Sequence, residues 1–364
     1  MLIAHLSDTH LGATQYGIDA REEDFYNAFR EAIDIIIKEH IDLVIHSGDI
    51  FDTPRPSGTA IVRLLDQLRR LDEHNIRFLF ILGEHDISRL RSIPVPILYN
   101  KVKLATYLHN NIININDLAI IGYNKYRLHE IESLKKHLSS ISIDAKKKIL
   151  VLHQGLREFH KYAGELSHFD LPNNFDYYAF GHLHNRYHKH FDGFKGPICY
   201  PGSTEVTSFN SNEDLNKGFY IVDLSREEAE QNWIRLNTRK HMIIDLEDND
   251  RLDDYINNLI EQLDNKPIMK IRFNNVDILK ARSIIRRLEN YALHIIAEYK
   301  KYHDIAFTNK PNSIDEEILK RAEDILESKE KARFAIIELL PSLLKNKDEA
   351  LELLWHAYKN NRFW

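Results

Sequence analysis

Five short apolar runs in this chain end in the same way, and that repetition limits the folds open to it. Each run hands over, just past its last apolar residue, to carboxylate or imidazole side chains. "LIAHLS" is followed by Asp8 and His10, and "DLVIHSGD" closes on Asp49. "IRFLFILG" runs without a spacer into Glu84, His85 and Asp86. "KKILVLHQG" carries His153, and "YYAFGHLH" ends in His182 and His184. Ligands of layered α/β folds gather at the carboxyl edge of the strands. If the five runs are strands of one core, their titratable ends meet in one place.

The segments between the runs read as helices. "REEDFYNAFREAIDIIIKEH" has acids in its first turn and Phe25, Phe29, Ile33 and Ile36 at helical spacing. Arg21 and Asp24 read as the solvated start of that helix. "GTAIVRLLDQLRRLDEHN" is a second helix, further strands fall at "IIIN", "LAIIGY" and "ICYPGS", and "GFYIVDLS" reads as the last strand of this part. Strands alternating with helices, then strand-rich sequence, indicate an α/β layered fold. Near residue 240 the pattern becomes a βαβαβ unit, which predicts a small second domain over 241–308 after a first domain over 1–240. A Pro/Asn/Ser linker over 309–313 then precedes a helical segment, 314–364.

Composition excludes several classes. A chain of 364 residues with 43% apolar and 29% charged residues is an ordinary globular protein. The net charge of -6 argues against a globally basic nucleic-acid coat but not against a local basic face. The single cysteine, Cys199, cannot form an intramolecular disulfide, which fits a reducing interior. There is no signal-peptide pattern and no uncharged apolar run of membrane length, so the expectation is a cytoplasmic protein, nucleoid-associated in a prokaryote. The outlying count is histidine: 20 residues, clustered rather than scattered.

Taken singly, an Asp-X-His is common by chance and a GHLH only somewhat less so. His5, His46, His109, His160 and His168 read as structural or solvent-facing. Five fragments in order, each at a strand end, are a different matter. Carboxylates brought together in a partly dry cleft repel one another, and isolated charges there cost several kcal/mol each. Divalent cations resolve this, and mixed imidazole and carboxylate donors suit Mn, Fe or Zn better than Ca. Seven donors exceed what one tetrahedral ion takes, so two metals are expected, placed to activate a water and steady a departing oxygen.

The fragments D-x-H, G-D, G-x-H, H and G-H-x-H resemble the metallophosphoesterases. Within them "SDTHLGATQY", "DAREEDFYNAF", "HSGDIFDTPRPS", "YYAFGHLHNRYH" and "CYPGSTE" resemble the Mre11/SbcD nuclease family, over residues 1 to about 240. The resemblance implies a layered β-sandwich flanked by helices, a small α/β capping domain that helps position DNA, and a C-terminal helical segment. It implies an Mn-dependent nuclease, a 3'-5' exonuclease and single-strand endonuclease, that processes DNA double-strand-break ends with a Rad50-type ATPase. It also implies a homodimer through the nuclease domain. Carried across, Asp8, His10 and His184 bind the first metal; Glu84, His153 and His182 bind the second; Asp49 bridges them. His85 assists the transition state at the scissile phosphate, and Asp86 orients His85. The chain departs from the family at Glu84, where an Asn is usual: a carboxylate lowers the positive charge of the site.

Basic and aromatic residues flank these loops: Arg55, Arg89, Arg91, Lys125, Tyr126, Arg127, Arg186, Tyr187 and Lys189. They read as a rim that holds phosphate backbones without reading sequence, with ordinary solvated loops as the alternative. The second domain has a basic helix face at Lys280, Arg282, Arg286 and Arg287. In the tail Leu339, Leu340, Leu343, Leu344, Leu351, Leu354, Trp355 and Tyr358 form the apolar side of a helical hairpin. That side docks either on a coiled-coil ATPase or on the chain's own core. Two other activities stay open: a small-molecule phosphodiesterase on the same site, and a scaffold with a degenerate metal site.

Overall fold

The computed structural model describes residues 1–88, 92–160, 164–209, 213–249 and 251–300, and most of 319–359. It divides into two units, Met1–Lys300 and Lys301–Trp364. Arg89, Arg91 and the expected 309–313 linker lie outside the described residues.

The first unit is built on two six-stranded sheets. One has the order β12-β11-β1-β2-β3-β4. Its members are β1 (Leu2–Leu6), β2 (Leu43–His46), β3 (Arg77–Phe80), β4 (Thr106–Tyr107), β11 (Gly218–Asp223) and β12 (Glu230–Arg235). The other has the order β5-β6-β7-β8-β10-β9. It holds β5 (Ile112–Ile115), β6 (Leu118–Tyr123), β7 (Lys147–His153), β8 (Tyr177–Gly181), β9 (Tyr187–Lys189) and β10 (Ile198–Tyr200). β1, β2 and β3 run parallel, as do β6, β7 and β8.

The sheets pack face to face through Ile3, Ile45, Leu79, Ile81, Ile120, Val151 and Ala179. The outer face of the first sheet is covered by α1 (Asp19–Lys38) and α2 (Gly58–Glu73), which insert Phe29, Ile33, Ile36, Leu64 and Leu68. The outer face of the second is covered by α4 (Ile131–Ser139) through Leu134 and Leu138. Being covered on both faces is why β1, β2, β7 and β8 read as unbroken apolar runs rather than alternating ones. A short α3 (Ile97–Lys101) is tied to α2 by Tyr99 Oη donating to the Ile61 carbonyl at 2.8 Å.

A third, all-parallel sheet of β13 (His241–Glu247), β14 (Ile268–Asn274) and β15 (His294–Lys300) follows. Helices α5 (Leu252–Glu261) and α6 (Ile278–Leu288) bury Ile256, Leu259, Ala281 and Ile284 against it. In the second unit, α7 (Lys329–Arg333), a wider π-helical stretch (Phe334–Leu339) and α8 (Leu340–Lys345) precede α9 (Lys347–Lys359). Among the described residues no helix is long and apolar enough to cross a membrane.

Two expectations change. The sheet continues one strand past "GFYIVDLS": β12 pairs antiparallel along all six residues of β11. Its half-exposed edge position leaves "EQNWIR" too polar to announce a strand. And α1 does not begin in solvent, because Arg21 is fully buried.

Candidate metal centre

The parallel arrangement puts the carboxyl ends of β1, β2 and β3 beside those of β7 and β8, and the five titratable loops converge there. Asp8, His10 and His184 bring ligand atoms within 4.8 Å of one another. So do Asp8, Asp49 and His153, and so do Asp49, Glu84 and His85. His153 Nε2 lies 3.3 Å from Asp49 Oδ2 and 4.0 Å from Asp8 Oδ1. His182 Nδ1 lies 3.5 Å from Glu84 Oε1. Asp8, Asp49 and His153 are buried, whereas Glu84 is 43% exposed and opens onto solvent.

The backbone is bent to reach this geometry. Asp8, His10, Asp49 and His182 all have positive φ, between 44° and 93°. Non-glycine residues rarely adopt it, and where they do it clusters at functional sites. Gly83 serves close approach: a Cβ there would overlap the Asp49 carboxylate and its backbone nitrogen.

Two of the imidazoles, His153 and His184, are held from the far side. His153 Nδ1 donates to the Ser47 carbonyl at 2.7 Å, which leaves Nε2 facing the carboxylates. Among the described residues that buried nitrogen has no hydrogen-bond partner. His184 Nδ1 meets Thr207 Oγ1 at 2.5 Å, turning its Nε2 to within 3.2 Å of His10 Nε2. Two ring nitrogens face to face beside a carboxylate are satisfied by a shared proton or by a cation. The donor set of three carboxylates and four imidazoles therefore fits divalent transition-metal ions.

Electrostatics points the same way. Burial opposes charge on His153, but Asp49 and Asp8 outweigh it and raise the ring to about 9. Burial likewise opposes ionisation of Glu84, yet His182, Lys125 and His153 bring it down to about 2. Burial and the adjacent Asp49 push Asp86 up to about 7, against three backbone donors.

Those donors correct the role expected of Asp86. Its oxygens accept from the backbone nitrogens of Gly83 (3.0 Å), Ile50 (3.2 Å) and Phe51 (3.1 Å), so it straps the β3 loop to the β2 loop. His85 is oriented instead by Asp52, whose carbonyl accepts from His85 Nδ1 at 2.7 Å, while its backbone nitrogen donates to Asp49 Oδ1 at 2.8 Å. Asp52, which the sequence reading passed over, also lies 3.3 Å from His10 Nδ1. It could have been found as the second acid of "SGDIFD".

Lys125 is a second correction. Its side chain is only 6% exposed and lies at the inner wall of the cleft beside Glu84 rather than on an outer rim. Nζ pairs with Glu165 Oε1 at 2.6 Å and Glu84 Oε2 at 3.5 Å, and lies 3.3 Å from His182 Nε2. The positive charge that Glu84 cancels is thus partly restored by an adjacent lysine. Arg55, Arg127, Arg186 and Lys189 are exposed, with Arg186 lying over Trp233 and Lys189 over Phe191. A cleft of about 830 Å³ opens beside Glu84 and His85, walled by His109, Asn124, Tyr126 and Arg127. On α6, Lys280 and Arg287 are paired with Asp248 and Asp253, while Arg282 and Arg286 are exposed.

A two-layer β-sandwich with this donor set at one edge defines the dinuclear phosphoesterase class. The sequence pattern of the calcineurin-like phosphoesterases matches residues 1–186. The chain is 33% identical over 337 residues to the DNA double-strand break repair protein Mre11 of Sulfolobus acidocaldarius, covering 88% of this chain and 85% of that one. It is 31% identical over 384 residues to the protein of the same name from Methanocaldococcus jannaschii, covering both chains completely. The chain belongs to the Mre11 family of the calcineurin-like phosphoesterases.

Protonated His153 must yield its proton before Nε2 can accept a metal. Its raised value stabilises the metal-free fold fully below the unfolded value of about 6.5, and that stabilisation is lost as pH rises through about 9. Mn2+ titrations of the DNA-free chain near pH 7.5, in two buffers of different ionisation enthalpy, are expected to register proton release. Affinity is expected to rise by up to about tenfold per pH unit below pH 9. A flat pH profile with no release would remove His153 from the donor set.

Proposed function

We propose that this chain is an Mn-dependent, dinuclear-metal DNA nuclease that processes double-strand-break ends together with a Rad50-type ATPase. The observation that carries the reading is the convergence of Asp8, His10, Asp49, Glu84, His153, His182 and His184 at one edge of the sandwich, in a chain of Mre11 ancestry. On this reading Asp8, His10 and His184 hold one cation and Glu84, His153 and His182 the other. Asp49, between the two groups, would be shared by both cations. Two such cations would polarise the phosphodiester and supply a nucleophilic water at neutral pH.

The chain's own part is placement and proton transfer. Asp86 fixes the loops that carry Asp49 and Glu84. His85, with Nδ1 committed to the Asp52 carbonyl, has Nε2 available to hand a proton to the departing 3'- or 5'-oxygen. The cleft beside it, with Tyr126 and Arg127 on its wall, accommodates the strand next to the scissile phosphate. Arg55, Arg186 and Lys189, and Arg282 and Arg286 on the β13–β15 layer, supply sequence-independent phosphate contacts.

End-labelled linear duplex DNA tests this directly. The chain is expected to degrade it with Mn2+ and not without metal. His85→Ser should lose about 10²- to 10⁴-fold in rate while still taking up two Mn2+ per chain. Brisk hydrolysis of a small phosphodiester with no cleavage of DNA would instead support a small-molecule phosphodiesterase.

Two assembly surfaces accompany this reading. Val62 on α2, and Leu98 and Val102 at α3, are about half exposed beside the Tyr99–Ile61 tie, and we assign them to a homodimer contact with a second copy. Leu98→Asp is expected to convert a dimer to a monomer in light scattering, and an unchanged mass would refute the assignment. In the second unit Leu340, Leu343, Leu351, Leu354, Trp355 and Tyr358 are 38–58% exposed, while the side chain of Leu344 lies outside the described residues. This apolar side is assigned to the ATPase coiled coil by helix-in-groove packing. Trp355→Ala should weaken capture of a Rad50-type coiled-coil fragment by about tenfold or more, as for a buried aromatic anchor. Unchanged capture would move the contact elsewhere.

A further inference from the structure

Two of the stretches singled out in the sequence contribute nothing to the donor set: "DAREEDFYNAF" on α1 and "CYPGSTE", which leads out of β10. The structure joins them. Arg21 is completely buried and spends its guanidinium on four acceptors. Nε donates to Gln15 Oε1 at 3.0 Å and Nη1 to Asp24 Oδ2 at 2.7 Å. Nη2 donates to the Val206 carbonyl at 2.9 Å and to Glu205 Oε1 at 3.3 Å. The next residue along that segment is Thr207, which meets His184 Nδ1. Its carbonyl accepts from Gln15 Nε2 at 2.9 Å.

On the other side of Arg21, Asp24 receives Arg239 in a two-pronged contact, from Nε at 2.6 Å and Nη2 at 2.8 Å. Arg239 Nη1 donates in turn to the carbonyls of Asn265 and Lys266, at 2.6 and 3.0 Å, in the turn that leads into β14. Tyr16, next to Gln15, stacks on His294 of β15 with centroids 4.3 Å apart. Hydrogen bonds therefore run without a break from a metal-facing imidazole to the three-stranded layer. The node holds two cations and two anions, Arg21, Arg239, Asp24 and Glu205. Removing one partner of such a set leaves an uncompensated charge, so its members move together.

We infer that Arg21 is a positioning residue that couples the seating of the β13–β15 layer to the affinity of the Asp8–His10–His184 site for a divalent cation. This rests on the reading of that triad as a cation site. With the layer seated, Arg239 neutralises Asp24 through both oxygens and shares Oδ2 with Arg21, whose other nitrogens hold Gln15, Glu205 and Val206 where Thr207 can orient His184. With the layer displaced, Asp24 loses Arg239 and keeps Arg21 as its one cation, which draws the guanidinium toward Asp24 and away from that segment. Linkage requires the converse: a cation on His184 steadies the layer. A purely structural node would change unfolding temperature and leave metal affinity alone.

The test uses the full chain without DNA, with Mn2+ as the probe. Arg239→Ala, partly exposed and remote from the triad, breaks the layer end; Thr207→Val breaks the metal end. Mn2+ isotherms and hydrogen exchange at the Asn265–Lys266 turn are read for each. Arg239→Ala is expected to weaken one of the two Mn2+ sites by about fivefold or more, within the range of coupling between distinct sites, and to spare the other. Mn2+ should slow exchange at the turn in the unmutated chain and not in Thr207→Val. Should Arg239→Ala not fold, Asp24→Asn is expected to give the same selective loss. Faster exchange at the turn with Mn2+ affinity within about twofold of the parent would overturn the coupling and leave the metal centre standing. No Mn2+ uptake by the unmutated chain would overturn the metal-centre reading, and the coupling with it.

Discussion

Two buried carboxylates, Asp8 and Asp49, face the same nitrogen of His153, and most of the surrounding structure exists to keep them there. Left alone in a dry site, like charges at this range would drive the loops apart or take up protons. Here they are held by backbone. The loops cross through positive φ at Asp8, His10, Asp49 and His182, Gly83 admits the Asp49 carboxylate, and Asp86 fastens the β2 and β3 loops with three backbone hydrogen bonds. Strain of this kind persists only in a rigid frame, and the two-sheet core provides one.

The same logic explains where the remaining charges sit. Glu84 is the most exposed of the candidate donors, and Lys125 stands beside it with a second acid, Glu165, behind. That lysine is drawn inward by the site's acids and lines the cleft as their counter-ion. Arg55, Arg127 and Arg186 are exposed, where solvent keeps their charge hydrated.

Strand content was legible because a sheet covered on both faces leaves uninterrupted apolar runs, and each residue of the candidate metal centre is adjacent to one. Asp8, Asp49, His153 and His182 could be named for that reason. β12 was not legible, since an edge strand with one open face has no such run. Arg21 and Asp24 were misplaced for a related reason. An arginine among acids at a helix start looks solvated unless Glu205 and Arg239, 184 and 215 residues away, are known to fold onto it. Asp52 and Thr207 were hidden likewise: a carbonyl that holds His85 and a hydroxyl that holds His184 carry no sequence signature.

The sequence by itself determined the candidate ligand types, their order and their position at strand ends, because those are local properties of apolar runs and the residues that terminate them. It also determined that the chain belongs with the dinuclear phosphoesterases, since donor identity and spacing survive without coordinates. Only the tertiary structure decided which imidazole nitrogen faces inward, that Asp86 straps loops while Asp52 holds His85, that Lys125 is a counter-ion, and that one buried guanidinium links His184 to the third sheet. Each of these depends on pairs far apart in the chain. The energy of a buried charge is set by what surrounds it in space, and no local pattern records that.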